Sequence, residues 1–228
     1  SLTLAYRVLK RGDDMNIMAG LRMPHLQYAL ERSRSGDNGL DFDASVAAFN
    51  GFERVYLNSV TMKFYNPASR RSALELALDG KVLLRPGQSG NIAIRRLEFS
   101  KRPLMGMLPG KFQKSLEGVP LKKPVTVSMN LSFDKGRDAL KAVLDMLVKV
   151  PDFNVNDLSM ALNMEQNERR KKLYLNAFHL GSREKNLAVT AKGAAVRFAG
   201  NGSAAQRVGT AIEIGGAALV MVLGLLLL

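Results

Sequence analysis

Apolar and polar residues alternate along most of this chain with a period of two. Met15, Ile17, Ala19, Leu21 and Met23 share one side of an extended chain, followed after Pro24 by Leu26, Tyr28 and Leu30. Leu40, Phe42, Ala44, Val46 and Ala48 form a second row, Val60, Met62 and Phe64 a third, Leu74, Leu76 and Leu78 a fourth, and Ile92 with Ile94 a fifth. The cleanest row is Val125, Val127, Met129, Leu131 and Phe133, with Thr126, Ser128, Asn130 and Ser132 between its members. Leu158, Met160, Leu162 and Met164 follow the same rule. It resumes at Leu173 and Leu175 after the charged residues 167–172, and again at Leu187 and Val189, then Val196 and Phe198. Successive side chains of a strand point to opposite faces, so each row predicts a strand with one buried and one wet face. Antiparallel sheets tolerate a wet face; parallel sheets seldom do.

Turn chemistry separates the rows. Residues 34–39 (RSGDNG), Asn66-Pro67, Asp79-Gly80, residues 86–91 (PGQSGN) and residues 200–203 (GNGS) carry the Gly, Pro, Asn and Asp that reverse a chain. One segment follows another period. In residues 136–150 (GRDALKAVLDMLVKV), Leu140, Val143, Leu144, Leu147 and Val148 recur at spacings of three and four. That spacing predicts an amphipathic helix ending before Pro151. A shorter helix is predicted within residues 103–116, interrupted at Pro109-Gly110.

The fold class that follows is mainly β: about ten long antiparallel amphipathic strands, forming a curved groove-like or sandwich sheet with one or two inserted helices. Residues 1–213 make a β-rich domain with a candidate internal boundary near residue 120. Residues 214–228 (IGGAALVMVLGLLLL) stand apart, with no charge among them. That run is shorter than the ~20 residues of a spanning helix. It predicts either the start of a transmembrane helix or a pair of buried strands, since Ile212 and Ile214, then Val220 and Val222, also alternate. The first residues, SLTLAYRVLK, lack the charged start and apolar run of a signal peptide. A first residue of Ser rather than Met is the pattern of a processed chain or of a piece of a longer one.

Composition narrows the chemistry. A chain of 228 residues can bury a sizeable core, and 46% hydrophobic with 23% charged is a globular balance. The absence of cysteine excludes disulfides, thiolate metal sites and a cysteine nucleophile. Thirty-three basic against twenty acidic residues leave a net charge of +13. Such a balance suits an anionic partner, nucleic acid or an acidic membrane surface, or else a basic surface that meets only solvent. Nucleic acid is disfavoured. Aromatics are 7%, Trp is absent, the basic residues lie in short clusters, and no helix-turn-helix, RNP or zinc-finger pattern occurs.

Catalysis needs converging groups, and the sequence does not supply them. His25 and His179 are far apart and each sits in a strand-like context. No HExxH pair, G-x-S-x-G elbow or dinucleotide fingerprint occurs. Asp41 and Asp43 share a strand face and could meet a cation through oxygen, although a solvated polar face explains them as well. Residues 106–112 (GMLPGKF) fail as a phosphate loop. Three residues rather than four separate the glycines, and Phe112 stands where a Ser or Thr would ligand magnesium. No enzyme activity, metal or cofactor is expected.

Residues 124–134 and 153–201 carry a family resemblance. There VNDLSMALNM, KKLYLNAFHLGS and NLAVTAKGAAVRFAG follow one another as amphipathic strand units with short polar turns. This style of repeat resembles AsmA-like proteins and, more widely, the bridge-like lipid-transport proteins. The resemblance implies a long curved sheet whose concave face is a groove for acyl chains, with no catalytic residues. It implies phospholipid or another acyl lipid, a membrane and other envelope proteins as partners, and a place in the bacterial cell envelope, membrane-associated or periplasmic. The positions that would face lipid are Val125, Val127, Met129, Leu131, Phe133, Leu158, Met160, Leu162, Met164, Leu173 and Leu175. The family's membrane anchor is N-terminal, whereas the apolar run here is C-terminal.

A second resemblance competes. Residues 59–84 (SVTMKFYNPASRRSALELALDGKVLL) are similar to the late-embryogenesis-abundant type 2 and WHy domains, with Asn66-Pro67 and Asp79-Gly80 at that pattern's turns. It implies a closed β-sandwich with a non-catalytic structural or interaction role in the envelope. Eleven methionines, six of them on strand rows at Met15, Met23, Met62, Met129, Met160 and Met164, suit a surface that adapts to flexible acyl chains.

Overall fold

The computed structural model describes residues 2–27, 29–30, 33–34, 37–85, 87–108, 113–114, 117–136, 139–167 and 172–197. The apolar run at 214–228 and the GNGS turn at 200–203 lie outside the described residues. So do the charged positions 168–171.

The alternating rows become strands. In chain order these are β1 (Thr3–Arg11), β2 (Asp14–Leu26), β3 (Ala29–Leu30), β4 (Ser33–Arg34), β5 (Asn38–Phe49), β6 (Arg54–Tyr65), β7 (Ser72–Leu83) and β8 (Gln88–Phe99). After the helix α1 (Lys101–Met107) come β9 (Val125–Lys135), β10 (Ala139–Val150), a 3-10 turn at Pro151–Phe153, β11 (Val155–Asn167), β12 (Lys172–Ser182), β13 (Leu187–Ala191) and β14 (Ala194–Arg197). Twelve strands form one sheet in the order β1-β2-β5-β6-β7-β8-β9-β10-β11-β12-β13, with β14 also on β12. Every pairing is antiparallel. The small β3–β4 hairpin is inserted between β2 and β5. The sheet is open, with β1 at one edge and β13 beside β14 at the other. It continues through residue 120, because β8 and β9 pair across that connection.

Two sequence expectations are corrected. Residues 136–150 do not form a helix: Ala139–Val150 is the central strand β10, laddered to β9 on one side and β11 on the other. The sequence fits both periods. Leu140, Leu144 and Val148 recur every four residues, but with Ala142, Met146 and Val150 they also recur every two. Helix propensity is a weak prior that two flanking ladders override. The second correction concerns Asp79-Gly80, which lies inside β7 rather than in a turn. A Cβ at Gly80 would meet the Asn91 carbonyl oxygen at 2.5 Å. This glycine marks a close approach of neighbouring backbones, not a chain reversal. Asn66-Pro67 does turn the chain, with Asn66 Oδ1 accepting from the Ser69 amide at 3.0 Å. The shorter predicted helix is α1, which starts two residues before the expected span.

Register sorts the side chains. Met15, Ile17, Ala19, Leu21 and Met23 of β2 stand opposite Ala48, Val46, Ala44, Phe42 and Leu40 of β5. The apolar side continues through Val55, Leu57, Val60, Met62 and Phe64 of β6 to Leu74, Leu76 and Leu78 of β7. It then crosses Ile92, Ile94, Leu97 and Phe99 of β8 to β9, β10 and β11. Bulges keep it unbroken, three of them in β6, β8 and β12. Leu57 to Val60, Ile94 to Leu97 and Leu175 to Phe178 are each three residues apart, while their partners advance by two. The extra residue sits in Asn58-Ser59, Arg95-Arg96 and Asn176-Ala177, so it falls among mainly polar side chains. Such bulges also bend their strands.

The core lies over one end of the sheet. Val125, Leu131, Leu144, Val148, Leu158, Met160, Leu162, Met164 and Leu180 form one buried cluster, with Leu121 and Phe153 packed against it. All of the sheet residues in it lie on the apolar face.

Candidate functional site

The two faces of the sheet carry different chemistry. On the polar face, opposite charges line up across strands. Arg22 of β2 pairs with Asp43 at 2.7 Å and Asp41 at 3.7 Å on β5. Lys63 of β6 reaches Glu75 of β7 at 3.7 Å, and Arg96 of β8 reaches Glu75 at 3.7 Å and Glu98 at 2.6 Å. Arg95 grips Asp79 with two hydrogen bonds, at 2.5 and 2.9 Å. Those bonds hold the Asp79 carboxyl below the usual carboxylate range. The hydrogen bond to Asp43 likewise raises the Arg22 guanidinium. Exposed pairs of this kind contribute about 0–1 kcal/mol each. Asp41 and Asp43, the candidate cation ligands, are therefore engaged by Arg22. Among the described residues no group of three or more His, Asp or Glu could hold a metal ion.

The polar face also gathers a serine, a histidine and an aspartate without making a relay of them. Ser128, Asp145, Ser159 and His179 line one shallow cleft over β9 to β12. Asp145 and His179 are both opposite Ala161, on its two sides. Two strand spacings therefore separate them, about 10 Å between backbones. No hydrogen bond joins His179 to either serine or to Asp145 among the described residues. Its ring lies over Gly181, where a Cβ would come within 2.8 Å of Nε2. The other histidine, His25, is exposed and meets Asp37 at 2.8 Å. A nucleophile needs a base within hydrogen-bond reach, and neither histidine is placed as one.

The apolar face brings all eleven sequence-selected residues together. Val127, Met129, Leu131 and Phe133 of β9 stand opposite Val148, Met146, Leu144 and Ala142 of β10, and Val125 ends the same row. Across β10 stand Leu158, Met160, Leu162 and Met164 of β11. Leu175 pairs with Met164 and Leu173 with Gln166, so both belong to this face. Val125, Leu131, Leu158, Met160, Leu162 and Met164 are buried; Val127, Met129, Phe133, Leu173 and Leu175 are half-buried. Toward β1 the same face becomes exposed.

Sequence reasoning missed two features of this face. One is β1 itself, whose Leu4, Tyr6 and Val8 extend the apolar surface to the free edge. The alternation within SLTLAYRVLK was the available signal. The other is Gln166, a polar side chain on the apolar face. It is 5% exposed, and its amide nitrogen has no hydrogen-bond partner among the described residues. The break in the apolar row after Met164 was its signal. No helix among the described residues is long and apolar enough to cross a membrane. Comparison with protein-family models, curated proteins and solved structures finds no match to this chain.

Proposed function

We propose that this protein is a lipid-binding or lipid-transport module of the bacterial cell envelope, holding acyl chains against the apolar face of its sheet. One observation carries the reading. A single open sheet presents a continuous apolar face across its strands, while the opposite face is polar and ion-paired. Among the described residues the elements outside the strands are α1, helical positions at 113–114 and 117 in the same β8–β9 connection, the 3-10 turn and turns. Burying one Leu or Met side chain is worth ~1.5–3 kcal/mol, so the strands between β1 and β8 gain when something apolar covers them. A disordered hydrocarbon chain suits methionine-rich rows better than a rigid partner does. The buried Val125, Leu131, Leu158, Met160, Leu162 and Met164 then form the floor beneath the groove, the half-buried Val127, Met129, Phe133, Leu173 and Leu175 line it, and the side toward β1 is where a chain enters. The net charge of +13 favours an acidic membrane as donor or acceptor.

Native mass spectrometry of the purified chain tests this. The expected result is a population heavier by the mass of one or more phospholipids, and uptake of lipid from vesicles by protein that has been stripped. A chain that carries no lipid and takes none up would sink the reading. The face would then belong to an ordinary structural or interaction domain of the envelope.

A further inference from the structure

Gln166 is out of place. Its row across the sheet reads Gln88, Lys135, Leu140, Gln166 and Leu173, from β8 to β12. This row is the last at the end of the sheet where β8 begins and β9 ends. Moving inward, the next row is Gly90, Phe133, Ala142, Met164 and Leu175, and the rows beyond it on these strands are apolar except for Ser182, which ends β12. At the far end, Leu121 and Phe153 pack on the cluster that includes Val125, Val150 and Val155. The apolar face therefore has a greasy closed end and an end with polar side chains. An acyl lipid has the same polarity along its length.

The Gln166 amide nitrogen is buried with no acceptor among the described residues. A buried donor without a partner is a standing cost, and native proteins keep such groups few. The amide can donate to any oxygen, but a charged one buried beside it would lack a counter-charge, so a neutral oxygen such as a carbonyl is the acceptor that fits. Lys135 lies in the same row with only Leu140 between, about 10 Å away between backbones. Its ammonium suits a phosphate as a point charge. A fatty-acid carboxylate has one polar group and serves one of these two residues. A glycerophospholipid has an ester carbonyl and a phosphate separated by glycerol, and serves both.

We propose that Gln166 donates its side-chain amide to an acyl-ester carbonyl of an anionic glycerophospholipid, while Lys135 holds the phosphate and the acyl chain runs over the half-buried Phe133, Ile92, Met129 and Ile94 of β9 and β8. This rests on the lipid-binding reading above. The lipid oxygen reaches the amide by displacing the half-buried side chain of Leu173, its neighbour in the row. Gln166 makes the site selective for ester-linked over ether-linked lipid, since an ether lacks the carbonyl.

Competition binding with vesicle-derived lipids tests this on the full chain. The probes are phosphatidylglycerol with ester-linked chains, its ether-linked analogue and phosphatidylcholine with the same chains. The parent should prefer ester to ether by about tenfold, the size of one buried hydrogen bond. In Gln166→Leu that preference should vanish through loss of ester binding alone. The variant should melt no lower than the parent, because an unpaired buried donor has been removed. Lys135→Ala should lose the preference for phosphatidylglycerol over phosphatidylcholine and keep the preference for ester. Equal binding of ester and ether lipid by the parent would overturn the Gln166 assignment and leave the lipid-binding reading standing. A Gln166→Leu variant that melts well below the parent would overturn it too, by showing that the amide is satisfied within the protein. A fatty acid that outcompetes both phospholipids would replace the phospholipid assignment. No binding of any probe to the parent would overturn both readings together.

Discussion

Leu158 and Tyr6 lie on the same face of the same sheet, yet Leu158 is 1% exposed and Tyr6 is 76%. Both follow the same alternation. Leu158 sits on β11, a strand flanked by β10 and β12, with Phe153 and Leu187 packed at its end of the cluster. Tyr6 sits on β1, which has β2 on one side and no strand on the other among the described residues. Alternation decides which way a side chain points. The neighbours on both sides decide whether water reaches it. An edge strand presents unpaired N–H and C=O groups as well as its apolar row, and β1 also carries Arg7, Lys10 and Arg11. Those charges are a common guard against edge-to-edge pairing.

Glutamate substitutions break this comparison most strongly. Leu162 is 6% exposed within the cluster. Leu162→Glu buries an unpaired carboxylate, and should cost upward of about 4 kcal/mol in urea denaturation or abolish folding. Tyr6→Glu should change stability by no more than about 0.5 kcal/mol. Equal costs at the two sites would show that burial does not separate them. A milder probe is Gly80→Val, at the close approach to Asn91. Overpacking there should cost about 1–3 kcal/mol, read as a lower midpoint. An unchanged midpoint would mean that β7 and β8 can move apart without loss.

How far this was legible in the sequence follows from the same two regions. Strict alternation at Val125 to Phe133 and Leu158 to Met164 identified both the strands and their shared face. The β10 segment misled because its leucines and valines satisfy two periods at once, and composition does not reveal that a strand will be flanked on both sides. Bulges are invisible to a period-two search. The three-residue step from Leu175 to Phe178 looks like an end of alternation, although the structure shows one face carried through. The break after Met164 placed a polar side chain at Gln166, but its unpaired amide is a property of packing that no pattern shows. Asp79-Gly80 looked like a turn because the same dipeptide serves reversals and close backbone contacts alike.

Acid should act on one end of the cluster before the edge. Asp157 accepts from Ser182 Oγ at 2.5 Å, and from the amides of Arg183 at 2.7 Å and Glu184 at 3.3 Å. The Ser182 bond, then the amides, hold its carboxyl below the usual range. A depressed carboxylate contributes stability above its unfolded value, about 3.9, and that stability is lost as pH falls through the folded value. Amide exchange in residues 182–187 should therefore quicken below about pH 4, and Asp157→Asn should remove that dependence. Exchange that stays flat to pH 2 would contradict the role of the Asp157 carboxylate in the β12–β13 turn. The smallest effect is expected on the polar face. Glu75→Gln severs contacts to Lys63 and Arg96 between exposed groups, and should change stability by less than about 1 kcal/mol. A larger loss would make the charge ladder a cooperative network.

Strand order also has a consequence in time. Except for the inserted β3–β4 hairpin, neighbours along the main path of the sheet are neighbours in the sequence. Apart from β2–β5 and β8–β9, each pairing closes a short loop, and local contacts favour rapid folding. During synthesis each strand that leaves the ribosome finds its partner already waiting, so the nascent sheet can grow one hairpin at a time from β1. The growing front is then always an unpaired strand with one oily side. Chaperones that shield such fronts have most to do while β9 to β12 are emerging, because those strands carry the rows that end up driest.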